Sequence, residues 1–311
     1  MLNSLEGLAA EFQQHRTRLR AVAYHMTGSL AEAEDAVQEA WLRLSRTDPA
    51  GIGNFTGWLT AVVARLCLDV LRSRAVRTGE PARSGLPDPV LSGPDGVGPE
   101  QQALLAESVG LAMLVVLDTL SPAERTAFVL HDVFAVPFED IARLAGRSTS
   151  ATKQLASRGR RRVRDGVPRP DADPARRRAV ADAFFAAARE GDFDALLAVL
   201  DPDVVVRADL GPAQTLQVLR GAQAVAPEAA RFARLAQDVQ PVLVNGGPGR
   251  VAIRDGAPFA VLGLTVADGR VAALDVIVGP HRWRGLGIPP AEVAAGRGES
   301  SGGGNGRSGL R

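Results

Sequence analysis

Cysteine occurs once in the 311 residues, at Cys67. A single thiol excludes an internal disulfide and a multi-cysteine metal site, and it suits a reducing compartment. It sits in the apolar run Leu59–Leu71, where burial accounts for it. Long apolar runs are also lacking, since none approaches the roughly 18 residues of a membrane span. The N-terminus carries acidic residues where a secretion signal needs a basic and then apolar segment. These absences predict a cytoplasmic protein without a membrane partner. Net charge is missing too: 36 basic residues face 35 acidic ones. That is little for a protein that grips DNA unaided. Any nucleic-acid surface must therefore be local, as in a protein that another factor delivers to DNA. Beyond residue 176 there is no tyrosine, and His281 is the only histidine. Asp209 and Asp275 are then the acids left for a pocket, and turn or strand-end positions explain them without catalysis. His131 has no cysteine or histidine partner at ligand spacing. No catalytic residue, metal or cofactor is assigned.

What is present is a charge-segregated motif at Val136–Arg164. Phe138, Ile141, Ala142 and Ala145 recur at helix spacing, Gly146 ends that helix, and Ser148 can cap the next. Two short helices joined by a Gly-containing turn mark a helix-turn-helix. From Arg143 to Arg164 there are eight Lys or Arg and no acid. Thr149, Ser150, Lys153, Gln154, Ser157, Arg158 and Arg161 are expected to face a DNA groove, with Arg160 to Arg164 reaching phosphates. The plainer reading is a solvated cationic helix.

Ahead of this motif the sequence predicts three helices. The first covers 5–27 and ends at Gly28. The second opens at Ser29, where Ser29 and Glu32 form a capping-box pattern, and Val37, Trp41 and Leu44 make its buried edge. The third runs from about Thr56 to Ser73, with Arg65, Asp69, Arg72 and Arg74 outside. A Pro/Gly-rich stretch containing Leu86, Pro87, Asp88 and Pro89 reads as an extended linker. Ser121 and Glu124 form a second capping box, with Pro122 at the favoured first helical position. After a further linker at 169–175 the pattern becomes α+β. Two helices precede a strand at Val204–Ala208, then a helix around Pro227–Gln237. An antiparallel meander follows over Val239–Val278, turning at Asp255-Gly256 and Asp268-Gly269. Such an order predicts a cone-shaped domain with an internal pocket. The final stretch is Gly/Ser-rich and reads as disordered.

Three segments, at 33–44, 57–74 and 120–148, resemble bacterial sigma factors of the extracytoplasmic-function type. The stretch 182–209 is similar to SnoaL-like domains of the NTF2 superfold. Together they resemble the sigma-factor group with a fused C-terminal SnoaL-like domain. The resemblance implies a multidomain fold: two all-α sigma domains at 1–78 and 100–168, joined by a linker at 79–99. A SnoaL-like α+β domain at 176–290 and a tail at 291–311 complete it. It implies that Asp35, Gln38, Glu39 and Arg43 dock on core RNA polymerase. Asn54, Phe55, Arg65, Asp69, Arg72 and Arg74 would capture the −10 promoter element, and the helix-turn-helix would read the −35 element. Leu86-Pro87-Asp88-Pro89 stands where the group has a Trp-Leu-Pro-Glu-Pro type motif, with Gly85 replacing the aromatic. Thr152 and Gly159 replace an apolar residue and an alanine of the recognition helix, and Gly159 is expected to make it less rigid. Asp209-Leu210-Gly211-Pro212 and Gly279–Trp283 depart from two further motifs of the group.

These readings predict an initiation factor that performs no covalent chemistry, with core RNA polymerase and promoter DNA as partners. The alternative is a helix-turn-helix regulator that binds DNA alone and senses a ligand through its tail. A small ligand of the C-terminal domain and a separate anti-sigma protein both stay open.

Overall fold

The computed structural model describes residues 5–78, 85–93, 110–211, 214–236 and 238–279. Helices α1 (Leu5–Thr27), α2 (Leu30–Leu44) and α3 (Phe55–Thr78) form the first unit. Gly28, at φ 68°, makes the turn out of α1. Only a residue without Cβ adopts that conformation at no cost. Leu19, Val22, Met26, Val37, Leu44, Leu59, Val63 and Leu68 pack into one core between the three helices. Cys67 is buried there, and burial pushes its thiol up to about 12.

The expected capping box at Ser29 does not form. Ser29 takes the N-cap backbone position, but its side chain caps nothing. Glu32 instead pairs with Arg74. The acceptor for the start of α2 comes from the linker: Leu30 N donates to Asp88 Oδ2 at 2.9 Å. The box at Ser121 does form, with Ser121 Oγ accepting from Glu124 N and the Glu124 carboxylate accepting from Ser121 N.

The second helical unit consists of α4 (Leu111–Asp118), α5 (Pro122–Phe128), a π-turn at Val129–Val133, α6 (Phe138–Ala145) and α7 (Thr149–Gly166). Gly146, at φ 66°, closes α6, and Ser148 Oγ accepts from Ala151 N at 3.2 Å to open α7. These are the two punctuation marks read from the sequence.

The third unit packs α8 (Pro174–Glu190), α9 (Phe193–Val199) and α10 (Ala222–Ala233) against a curled sheet. Its strands are β1 (Leu91–Ser92), β2 (Leu200–Asp209), β3 (Gln217–Arg220), β4 (Asp238–Val244), β5 (Gly247–Arg254), β6 (Ala257–Ala267) and β7 (Arg270–Val278). The spatial order is β1-β4-β5-β6-β7-β2-β3. The meander β4 to β7 is antiparallel as expected, but β2 joins β7 in parallel. The connection between those two strands carries α10 and the four strands β3 to β6, long enough for a parallel crossover. Helix α10 starts at Ala222, five residues before the expected Pro227, which lies inside it and is exposed. Short β3 was missed because four residues carry too little periodicity.

The linker holds a further departure. Leu91 and Ser92 pair with Val244 and Leu243, so the linker adds an edge strand to the sheet. Leu86, Val90 and Leu91 are buried. The linker residues 79–84 and 94–99, residues 100–109 of the expected second helical domain, Pro212, Pro280 to Trp283 and the tail lie outside the described residues.

Candidate nucleic-acid interface

Helix α7 buries Thr152, Leu155, Ala156, Gly159 and Val163 along one stripe, with Leu155 and Ala156 clustered on Ala127 of α5 and Val163 in the main core. At 3.6 residues per turn the opposite side holds Ser150, Lys153, Gln154, Ser157 and Arg161. All five are exposed. Thr149, half-buried, and Arg158 flank this stripe. Two carboxylates hold the flanking guanidinium groups. Glu124 accepts from Arg158 and Arg162, each at 3.0 Å, and Asp132 accepts from Arg160 at 2.6 Å. Burial raises the Glu124 carboxyl, but hydrogen bonds from Ser121 and the charges of Arg162 and Arg158 outweigh it and hold the group below the usual carboxylate range.

Thr152 and Gly159, read as departures, each have a local reason. Thr152 is fully buried and satisfies its hydroxyl on Ser148 O at 3.0 Å. A Cβ on Gly159 would meet Phe128 Cβ at 3.0 Å and Glu124 O at 3.3 Å. Glycine at this position lets α5 and α7 approach closely. Lys153 lies over the Phe138 ring at 5.8 Å, and His131 stacks on the same ring at 3.7 Å between centroids. His131 thus packs beside the motif, and among the described residues no group of side chains could hold a metal.

Around α3, Arg65, Asp69 and Arg72 form one exposed stripe, with Arg72 and Asp69 3.7 Å apart. Asn54 Oδ1 accepts from Gly57 N at 2.9 Å and so fixes the helix start. Phe55 is half-buried, with the His15 ring 5.7 Å away, and Trp58 packs partly into the core. Arg74 is corrected from outside to inside. It is half-buried, pairs with Glu32 and donates to Thr27 O at 2.9 Å, which ties α3 to the α1–α2 corner. On α2, Asp35, Gln38 and Arg43 are exposed, and Glu39 bonds Arg43 at 3.0 Å. Beside them Phe12, Val37, Trp41 and the exposed Leu42 line a groove. These residues share one surface, whereas α3 and α7 present two separate ones.

The units are locked together by buried polar groups. Arg125 donates from Nε and Nη2 to His25 O at 3.2 and 3.1 Å and pairs with Asp118. Arg18 donates to Phe134 O at 3.0 Å. Asn54, Thr56, Gly57 and Thr60 at the head of α3 face Phe134, Pro137, Asp140 and Leu144 across a crevice. His25 is buried in this junction, and burial lowers its pKa, with Arg125 acting in the same direction against the hydrogen bond to Ala21.

The linker motif joins the first and third units. Tyr24 Oη donates to Asp88 O at 2.6 Å and accepts from Asn245 Nδ2 at 2.9 Å. Asp88 N donates to Gly28 O at 2.9 Å, and Val90 N to Asn245 Oδ1 at 3.1 Å. Leu86 N donates to Asp209 Oδ2 at 2.9 Å. Gly85 makes that possible, because a Cβ there would lie 2.3 Å from the same oxygen. Its replacement of the aromatic is thus a close-approach requirement. Pro87 and Pro89 flank Asp88 and keep the segment extended. Sequence reasoning missed Tyr24 and Asn245. Asn245-Gly246 is the strongest two-residue hairpin signal and could have located the β4–β5 turn.

An acidic helix with an apolar groove, a basic helix and a helix-turn-helix, in that order, define a multi-domain transcription factor. Residues 12–77 match the Sigma-70 region 2 family and residues 111–163 match Sigma-70, region 4. The ECF RNA polymerase sigma factor SigJ of Mycobacterium tuberculosis is 40% identical over 297 residues, covering 89% of this chain and 93% of that protein. The probable ECF RNA polymerase sigma factor SigI of the same species is 36% identical over 276 residues, covering 88% and 94%. The crystal structure of SigJ superposes with a TM-score of 0.72 at 36% identity, covering 90% of this chain and 99% of that one. The chain belongs to the ECF RNA polymerase sigma factors.

Proposed function

We propose that this chain is a dissociable initiation factor that binds core RNA polymerase and directs it to two-part promoters. The observation that carries this reading is the separation of three unlike surfaces on one chain. The groove of Phe12, Val37, Trp41 and Leu42, rimmed by Asp35, Gln38, Glu39 and Arg43, suits a protein partner, since contiguous apolar surface with a polar rim marks an interaction site. Asn54, Phe55, Arg65, Asp69 and Arg72 suit an opened strand, where an extruded base can be read and stacked. Ser150, Lys153, Gln154, Ser157 and Arg161 suit a major groove, with Thr149 and Arg158 at its rim. The polymerase carries out the chemistry; the factor positions it in the cytoplasm.

The clamped arrangement is the polymerase-free state of this cycle. Elements near −10 and −35 lie roughly 25 base pairs apart, about 85 Å along the duplex at 3.4 Å per step. In this structure α3 packs against α5 and α6. Promoter binding therefore requires the two helical units to separate, which breaks the Arg125–His25 and Arg18–Phe134 contacts. The chain from Thr78 to Leu111 can span ~100 Å when extended. Its docked segment, with Leu86, Pro87, Asp88 and Pro89, is the regulatory catch. The C-terminal domain therefore holds the factor closed, a role that leaves a separate anti-sigma protein dispensable.

Run-off transcription with core polymerase, on fragments that include the gene's own upstream region, tests the reading. A transcript that depends on both polymerase and this chain is expected. Tight, sequence-specific duplex binding by the chain alone, with no such transcript, would instead favour a free-standing regulator.

A further inference from the structure

We propose that the C-terminal domain is a receptor for a neutral, largely hydrocarbon small molecule, whose occupancy tightens the linker catch. Between α8, α10 and the concave face of the sheet lies a cavity of about 470 Å³. Its deep wall is Phe184, Val206, Ala252, Leu262, Leu274 and Val276. The size falls in the range of drug-sized ligand sites. Native interiors hold few voids larger than a water molecule, and an apolar cavity stays dry or takes an apolar guest. This one is far larger than a packing fault.

The chemistry of the lining selects the guest. Its charged members, Arg189, Glu228, Arg231 and Asp238, are all exposed at the rim. Arg231 is already bonded to Glu228 at 2.8 Å through Nε. A charged guest would leave water for a wall with no countercharge, which is strongly unfavourable. Among the described residues the lining contains no Ser, Cys, His or Tyr. The described deep wall holds only apolar side chains, none able to act as nucleophile or general base, which points to binding without turnover. At the mouth Val218 is 50% exposed, an apolar surface for an incoming hydrocarbon.

The sheet connects this cavity to the catch because successive strand residues face opposite sides. In β2, Val206 and Ala208 line the cavity while Arg207 bonds Asp275 at 2.6 Å and Asp209 holds Leu86 N. In β7, Leu274 and Val276 line it while Ile277 enters the core shared with the helical units. Ala252 and Leu262 likewise face the cavity, with Val251 and Val261 on the other side. Pairing of Ala208 and Leu262 with Val276 and of Asp209 and Val261 with Ile277 keeps the two faces in register. A guest that fits the cavity as it stands favours the sheet curvature that also holds Leu86 through Asp209 and Val90 through Asn245. By mass action it stabilises the state that binds it better.

The coupling rests on the clamped state described above, but binding itself does not, so the test uses the full chain without polymerase or DNA. The neutral probe N-phenyl-1-naphthylamine is titrated and its fluorescence followed. Saturable binding at one probe per chain is expected, weakened about tenfold or more by Ala229→Phe, which fills the cavity from α10. Ala208→Leu, smaller and on a strand, gives the same readout if Ala229→Phe fails to fold. Hydrogen exchange at the Leu86 and Val90 amides is then compared with and without saturating probe, and slowing of about tenfold or more is expected. Absent binding, or binding indifferent to both variants, overturns the receptor. Binding with unchanged linker exchange overturns the coupling while leaving the initiation role untouched.

Discussion

Tyr24 and Asn245 stand 221 positions apart, yet Asn245 Nδ2 donates to the Tyr24 hydroxyl at 2.9 Å. The same hydroxyl donates to the Asp88 carbonyl, so one buried side chain ties α1, the linker and the β4–β5 turn. Tyr24→Phe keeps the ring and deletes both bonds. A buried group left without its partner costs about 1–3 kcal/mol. A lower Tm and faster proteolysis within the linker are expected, and an unchanged protease pattern would show that the catch does not depend on this bond.

Asp88 and Ser29 compete for one job, and only Asp88 performs it. Its carboxylate accepts from Leu30 N at the positive end of α2, where a negative charge is favourable. Asp88→Ala should cost about 1 kcal/mol, the usual value of a helix cap. Ser29→Ala should be near neutral in urea unfolding. The reverse order would mean that the α2 start is capped locally after all.

Gly159 gives a signed test of packing against propensity. Alanine in a helix interior gains about 1 kcal/mol over glycine. Here its Cβ would press on Phe128 Cβ and on the Glu124 carbonyl, and overpacking costs about 1–3 kcal/mol. Gly159→Ala should therefore lower the denaturation midpoint, whereas a rise would show that α5 and α7 can move apart freely.

The outward stripe of α7 should separate affinity from specificity. On the proposed groove reading, Arg161→Ala should reduce holoenzyme binding on all promoters, with a shallower salt dependence. Gln154→Ala should cost about 1–3 kcal/mol on the preferred −35 sequence and little on others. Competition binding with variant −35 duplexes distinguishes the two patterns.

Two buried groups, Cys67 and His25, each contribute to the pH dependence of stability. The Cys67 thiol is pushed up to about 12 from 9.0. Between those values the unfolded chain releases the proton and the folded one keeps it, so stability falls as pH rises through this window. His25, held neutral by burial, has a folded pKa below 6.5. Below 6.5 the unfolded chain takes up a proton first, so stability also falls on acidification. Cys67→Ala should flatten the alkaline limb, and His25→Gln the acidic one. At pH 8 a thiol reagent should label Cys67 only as the chain unfolds.

The helical half was legible because its signals are local. Gly28, Ser121, Gly146 and Ser148 act within one turn of themselves, and the 3.6-residue stripe of α7 follows from its own residues. The order of acidic helix, basic helix and helix-turn-helix could be read in the same way, and so could the meander of β4 to β7. What the sequence alone could not show is which distant groups meet. Ser29 has the same local neighbours whether or not Asp88 arrives, and Arg74 reads as exposed until Glu32 and Thr27 close on it. Gly85 and Gly159 look like weaknesses until Asp209 and Phe128 occupy the space a Cβ would need. The linker, proline-rich and without a core of its own, becomes a buried strand only because β4 offers an edge and Tyr24 an anchor. Local propensity is written in a few adjacent residues, whereas hydrogen-bond partners across the chain exist only once the core has brought them together.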